Sequence, residues 1–311
     1  MVNPAASSKR GKILVIRGGA IGDFILTMPA LAALRNQFPE AHLELMGYNR
    51  TNGLALEGGL VDAVQSIESR SVASFFSRKG PLDPSMQEYF SGFAVIICYL
   101  YDPDALFQTN IASISKAQFI VGSHRPDEQL SVPASEVFLK PLERLAIFEA
   151  DPVPALSLGS PPNLNLPTIA IHPGSGSELK NWPEVRWQSL LGKITLEMPH
   201  QILLIGGEAE GQRLERLAGS MDRDRVQLLL NQPLVEVGRA LLAANFFLGH
   251  DSGISHLAAA MGRPGLLLWG KSNHTIWRPP SRKIIVLQHP LGLEGLTVET
   301  VLNQVRRLAL G

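Results

Sequence analysis

Short apolar runs rich in β-branched residues alternate along the chain with longer stretches in which apolar positions recur every three or four residues. Lys12-Ile13-Leu14-Val15-Ile16-Arg17 predicts a strand, Ala30 to Phe38 a helix, and His42-Leu43-Glu44-Leu45-Met46 a second strand. Ala94 to Tyr99 and Gln118 to Val121 predict further strands of the same unit, and the strand–helix–strand rhythm is that of a parallel sheet. Proline then interrupts the pattern at Asp151-Pro152-Val153-Pro154 and Ser160-Pro161-Pro162-Asn163, which marks a linker. Beyond it the rhythm restarts with strands at Thr168 to His172, Gln201 to Ile205, Val226 to Leu229, Asn245 to Leu248 and Gly265 to Trp269, interleaved with helices such as Pro183 to Glu197. Val298, Val301, Leu302, Val305 and Leu308 fall at helical spacing and predict an amphipathic terminal helix.

The chain's 311 residues suit two domains of roughly 100–200 residues each. With 45% hydrophobic and 18% charged residues, disorder is excluded. The longest apolar run, Phe93 to Tyr101, has nine residues, short of the roughly 18–20 of a membrane-spanning helix. Residues 1–10 contain Lys9 and Arg10 but no following apolar segment, so they read as a loose tail and not as a signal peptide. The single cysteine, Cys98, rules out an internal disulfide or a cysteine zinc site and suits the cytoplasm. Lys and Arg total 28 against 28 Asp and Glu, a balance that argues against nucleic acid as a partner. Residues 1–155 hold 13 basic and 16 acidic side chains and residues 156–311 hold 15 and 12, so an anionic ligand sits more comfortably on the second half.

Candidate chemistry gathers where strands hand over to helices, because ligands of open α/β sheets bind beyond the carboxyl ends of strands. The first such junction is Arg17-Gly18-Gly19-Ala20-Ile21-Gly22-Asp23. Arg17 occupies the place of the first glycine of a dinucleotide fingerprint, and no Gly-Lys-Ser/Thr follows. Asp23 is displayed at the sheet edge, and a plain helix cap fits it equally well. The second junction runs from Pro173 to Trp182, ten residues where a simple connection takes ~2–6. Its Ser175, Gly176 and Ser177 offer amides and hydroxyls to phosphate oxygens, and Lys180 adds a positive charge. The third is Gly249-His250-Asp251-Ser252-Gly253-Ile254-Ser255-His256, where Asp251 or Ser252 caps an Ala-rich helix and His256 lies one turn in. Tyr101-Asp102-Pro103-Asp104 mimics a metal-binding D-x-D but reads better as a turn.

Together the three junctions resemble the bacterial heptosyltransferases and their relatives, glycosyltransferase family 9. The resemblance rests on Ile16-Arg17 with Ile21-Gly22-Asp23 and Thr27-Met28-Pro29-Ala30-Leu31, on His172-Pro173-Gly174-Ser175 with Lys180-x-Trp182-Pro183, and on Asp251-Ser252-Gly253-x-x-His256-Leu257-Ala258. It implies an α/β chain of the GT-B fold, two Rossmann-like parallel-sheet domains facing a cleft. Residues 1–160 would be the acceptor domain, with the terminal helix 298–310 packed on it, and 161–297 the donor-nucleotide domain. It also implies an inverting, metal-independent glycosyltransferase with no cofactor, moving heptose from ADP-heptose to a lipopolysaccharide core acceptor.

In that resemblance Asp23 matches the general base and Ser175, Gly176 and Lys180 match the groups that hold the diphosphate. Asp251 matches the contact to the transferred sugar, Ser252, Gly253 and His256 lie around sugar and phosphate, and Glu210 matches an acidic residue on the nucleoside side. Arg70, Arg78 and Lys79, in a Ser-rich stretch, are acceptor-binding candidates beside the plain reading of a solvated surface. Peripheral contact with a membrane belongs to the same expectation. Gly270-Lys271-Ser272-Asn273-His274 departs from the family's Gly-Pro-Thr-Asp-Pro run, although Trp277-Arg278-Pro279 keeps the following Trp-x-Pro. Two other readings stay open: a nucleotide-sugar binding protein of the same fold without activity, and an NAD-dependent oxidoreductase.

Overall fold

Strands buried on both faces read as unbroken apolar runs: all five residues after Lys12 are buried in the first strand, as are Thr168 to Ile171. The structure, a computed structural model, describes residues 11–161 and 166–310, so the expected tail at residues 1–10 and the linker residues Pro162 and Asn163 lie outside the described residues. The first series of elements is β1 (Lys12–Arg17), α1 (Ile21–Gln37), β2 (His42–Gly47), α2 (Asn49–Glu57), β3 (Ala63–Ser66), α3 (Arg70–Ala73), α4 (Pro84–Ser91), β4 (Val95–Cys98), α5 (Leu106–Ala112), β5 (Gln118–Val121) and α6 (Ala134–Leu139). Its five strands pair in parallel in the order β3-β2-β1-β4-β5.

The second series is β6 (Thr168–Ile171), α7 (Glu184–Glu197), β7 (Gln201–Gly206), α8 (Gly211–Gly219), β8 (Val226–Leu230), α9 (Leu234–Ala243), β9 (Phe246–His250), α10 (Gly253–Ala260), β10 (Gly265–Leu268), α11 (His274–Trp277), β11 (Ile284–Leu287) and α12 (Val298–Leu310). These six strands are also parallel, in the order β11-β10-β9-β6-β7-β8. Two parallel α/β sheets of Rossmann type are therefore present, as expected. No helix among the described residues is long and apolar enough to cross a membrane.

Helix α1 starts at Ile21, well ahead of the expected Ala30, and carries Pro29 inside it. Proline inside a helix costs about 3 kcal/mol, so Pro29 reads as a boundary in sequence. Burial outweighs that cost here: Phe24, Ile25, Leu26, Met28, Ala30 and Leu31 are all nearly inaccessible, each large apolar side chain contributing about 1.5–3 kcal/mol.

The chain divides into two compact units, one made of the residues up to Gly19 with 30–124 and 138–150, the other of 20–29, 125–137 and everything from Asp151 onward. The expected boundary at 160 is thus displaced. Leu156 N–H donates to Ala260 O at 3.0 Å, and Leu158 packs into the space that Gly238 leaves open, which ties the segment after Asp151 to the second sheet. The terminal helix also differs from expectation. Val301, Leu302 and Val305 of α12 join the core of the second unit with Trp187, Leu190 and Leu268, and α12 packs on α7 and β10. Lys193 pairs with Glu299 at 3.1 Å and Arg306 with Glu197, so charges flank the apolar stripe on the same side.

Arg17, in the place of a fingerprint glycine, is buried in the first unit. Its guanidinium donates to His124 O at 2.9 Å and lies 4.4 Å from the centre of the Phe138 ring, a desolvated cation–π contact.

Candidate functional site

In the second sheet β6 and β9 are neighbours, and from them the strand order runs outward in opposite directions. Such a switch point is where open α/β sheets hold ligands. The loop after β6 and the N-terminus of α10 after β9 both open there. The second and third junctions singled out in the sequence are therefore adjacent in space.

Lys180 and Asp251 meet at this point. Lys180 Nζ donates to Asp251 Oδ2 at 2.6 Å, and Ser272 Oγ donates to the same oxygen at 2.6 Å. Asp251 is buried whereas the Lys180 side chain is 44% exposed. Nζ carries three protons, so it can hold Asp251 and still present a donor to a phosphate oxygen. Ser272 was missed in the sequence because it stands in the departing Gly270 to His274 run. Its carbonyl accepts from Trp269 Nε1 at 2.8 Å, which fixes the loop.

Ser252, not Asp251, caps α10: its Oγ accepts from Ser255 N–H at 3.3 Å. Ser255 Oγ donates to His250 O at 2.5 Å, so the Ser252 hydroxyl is the donor of the 3.1 Å contact between the two serines. It follows that His172 Nδ1–H donates to Ser252 Oγ at 3.1 Å. The Ser252 hydroxyl is thus committed to the protein. What the helix end offers a ligand is backbone, the N–H groups of Gly253 and Ile254, which have no acceptor within the helix.

His250 holds the loop after β6 at both ends. Its Nε2 accepts from Trp182 N–H at 2.9 Å, and its Nδ1–H donates to Gly174 O at 3.3 Å. One imidazole in one neutral tautomer therefore clips the segment 175–181 that carries Lys180, while Trp187 packs edge-on against its ring at 5.3 Å. Burial pushes the His250 pKa down to about 4 and that of His172 to about 3, so both are neutral at pH 7. Ser175 is buried and donates to Ser177 O at 2.7 Å, folding the loop on itself, whereas Gly176 faces open space. Glu210 Oε2 accepts from Gly207 N–H at 3.0 Å. Its side chain lies against Gly174, where a Cβ would fall 2.2 Å from Glu210 Cγ.

Asp23 belongs to the same unit. Its Oδ2 accepts from Ala20 N–H at 3.0 Å, so it does cap the first turn of α1. The beginnings of α1 and α10 touch: a Cβ on Gly253 would fall 2.6 Å from Ile21 Cβ, and one on Gly22 would fall 3.1 Å from His256 Cδ2. His256 is consequently sealed, and its Nδ1 has no hydrogen-bond partner among the described residues. Burial lowers its pKa to about 4, against the opposing fields of Asp251 and Asp23 and with that of Lys180. Asp23, Lys180, Asp251, Ser252, Gly253 and His256 are brought together.

Arg70, Arg78 and Lys79 lie on the first unit, all exposed. Arg78 is already paired with Asp104 at 2.6 Å. Asp102 accepts from the N–H groups of Leu106, Phe107 and Gln108 at the start of α5. Both carboxylates of the D-x-D lookalike are thus engaged in local structure, in keeping with its reading as a turn.

Comparison with known proteins identifies the family and the fold. The model of glycosyltransferase family 9 (heptosyltransferase) matches residues 136–297. A 94-residue stretch is 37% identical to lipopolysaccharide heptosyltransferase 1 of Salmonella typhimurium, covering 30% of this chain and 29% of that protein, so the match spans under a third of the relative. A family 9 glycosyl transferase of Veillonella parvula superposes with a TM-score of 0.79 at 18% identity, over 96% of this chain and 97% of that one. ADP-heptose LPS heptosyltransferase II of E. coli superposes at 0.77 with 19% identity, over 96% and 98%. At these identities the superpositions speak to the fold, which is that of the GT-B heptosyltransferases.

Proposed function

The chain belongs to glycosyltransferase family 9, and from that premise we propose that it transfers heptose, with inversion, from ADP-heptose to a hydroxyl of a lipopolysaccharide core acceptor. The observation that carries this reading is the Lys180–Asp251 pair set against the N-terminus of α10 at the switch point of the second sheet. Asp23 takes the proton from the acceptor hydroxyl as its oxygen attacks the anomeric carbon. The bond from that carbon to the diphosphate oxygen breaks, and ADP leaves with the electron pair. The charge gathering on the departing diphosphate is met by Lys180 and by the Gly253 and Ile254 amides. Asp251 accepts from a hydroxyl of the transferred sugar, His256 walls the site, and Glu210 lies on the nucleoside side.

A lysine and a helix terminus supply the neutralisation that a divalent cation supplies in other transferases, which supports a metal-independent reaction. Arg70, Arg78 and Lys79 are assigned to the anionic acceptor, Arg78 after exchanging Asp104 for it. The reading places the enzyme in the cytoplasm, with the lipid-linked acceptor met at the membrane surface.

The test is titration of the purified protein with ADP, UDP, GDP and NAD, with and without EDTA, followed by turnover of ADP-heptose in the presence of a core acceptor. Selective ADP binding unaffected by EDTA, with acceptor-dependent turnover, is the expected result. Preference for UDP or GDP would move the donor assignment, binding without turnover would leave a nucleotide-sugar binding protein, and NAD binding alone would remove the transferase reading.

A further inference from the structure

Between Asp251 and Glu294 the chain contains no Asp or Glu, yet it carries Arg263, Lys271, Arg278, Arg282 and Lys283. Two of these cations are occupied by main-chain oxygens: Arg263 donates to Leu242 O at 3.1 Å and Lys283 to Gly262 O at 3.2 Å. Arg278 and Arg282 are different. Both line a cavity of about 230 Å³ together with Pro133, Pro280, Thr275 and Ser281, all of the second unit. Neither guanidinium has an acid partner or a hydrogen-bond acceptor among the described residues. Glu128, which reaches α11 by accepting from Trp277 Nε1 at 3.3 Å, pairs with Arg125, so its charge is already answered.

Two like charges opening on one cavity repel each other, and among the described residues no acid pairs with either to offset that repulsion. The lining says what would. Guanidinium groups present planar, forked donors that match an oxyanion two bonds at a time. The Thr275 hydroxyl adds a donor, and Pro133 and Pro280 form rigid apolar walls suited to the carbon skeleton bearing the anion. The volume is too small for a whole nucleotide but suits an anionic headgroup. None of the lining residues belongs to the cluster of Lys180, Asp251 and Ser252.

We propose that this cavity is a second anion site, taking a phosphate or carboxylate carried on a sugar or on a lipid headgroup. The site does not depend on the transferase reading, and its test is independent of turnover. The purified protein, its Lys180→Ala variant and its Arg278→Gln/Arg282→Gln double variant are titrated with inorganic phosphate, their melting temperatures being recorded alongside. Both arginines are exposed, so the double variant should fold. The expected result is phosphate binding that persists in Lys180→Ala and weakens about tenfold or more in the double variant. Equal binding by the double variant and the parent, or no phosphate binding in the parent, would overturn the proposal. Flotation with phosphatidylglycerol and phosphatidylcholine vesicles separates the sources. Capture by the anionic vesicles that the double variant loses assigns a lipid headgroup, and phosphate binding without vesicle capture assigns a soluble sugar anion.

Discussion

Lys180 and Asp251 stand 71 residues apart in sequence and 2.6 Å apart in space, with Ser272 donating to the same carboxylate oxygen. Replacing Lys180 by Ala removes the cation that the proposed reaction sets against the diphosphate and takes one of the two donors from Asp251 Oδ2. Affinity for ADP should fall about 10- to 100-fold, measured by titration. Thermal stability should fall by about 1–3 kcal/mol, because the enclosed Asp251 carboxylate loses one of its two donors.

Asp23→Asn separates capping from catalysis. The amide oxygen still accepts from Ala20 N–H, so α1 keeps its first turn and the melting temperature should stay near that of the parent. Turnover should drop about 100- to 10,000-fold because the amide cannot take a proton, with ADP binding preserved. Near-native turnover in this variant would remove Asp23 from the role of base.

His250→Phe keeps a ring beside Trp187 but strands Trp182 N–H and Gly174 O in the interior. Each orphaned group costs about 1–3 kcal/mol, so the melting temperature should fall clearly. Amide exchange across 175–181 should quicken, and KM for the donor should rise more than kcat falls.

His172, His250 and His256 have folded pKa values pushed down to about 3, 4 and 4. Above about pH 6.5 all three are neutral in both states and stability does not depend on them. As pH falls from 6.5 toward 4 the unfolded chain takes up protons that the folded chain refuses, so stability is lost, at up to about 1.4 kcal/mol per pH unit for each histidine. A melting temperature that stays flat from pH 7 to 4 would contradict the sealed, neutral histidines, whereas His172→Asn should lessen the slope.

Gly253→Ala places a methyl group 2.6 Å from Ile21 Cβ. The two helix ends must part, at a cost of about 1–3 kcal/mol, and activity should fall further than stability because Asp23 and Asp251 ride on the two ends. Gly176→Ala, with open space around it, should be close to neutral in melting temperature and serves as the control.

Much of this arrangement was legible in the sequence. The strands buried on both faces announce themselves as apolar runs, and the loop from Pro173 to Trp182 is too long to be mere connection. The half-buried edge strand β3, Ala63-Val64-Gln65-Ser66, carries no such run and went unread, whereas β11 does carry one, Ile284 to Leu287, too short and too close to the Pro-rich segment before it to stand out. The start of α1 was hidden by Pro29, whose cost is offset by packing that only the folded chain supplies. His250 was passed over for another reason: its partners are a carbonyl and an amide, groups every residue has, so no side-chain pattern marks the clip. Ser272 lies 21 residues from the carboxylate it holds, and a serine in a polar loop gives no hint of that partner. The docking of α12 was misjudged because an apolar stripe says that a helix packs without saying on which surface.

One oxygen of Asp251 is claimed twice, by an ammonium and by a hydroxyl, on a side chain that is almost wholly enclosed. A carboxylate held in this way cannot swivel to follow a ligand. In the proposed role of Asp251, recognition becomes a question of stereochemistry: a sugar that points its hydroxyl along the remaining lone pairs would be accepted, and its epimer at that carbon would find only a rigid, misdirected acceptor. The donor pocket would tell sugars apart by handedness before it tells them apart by size.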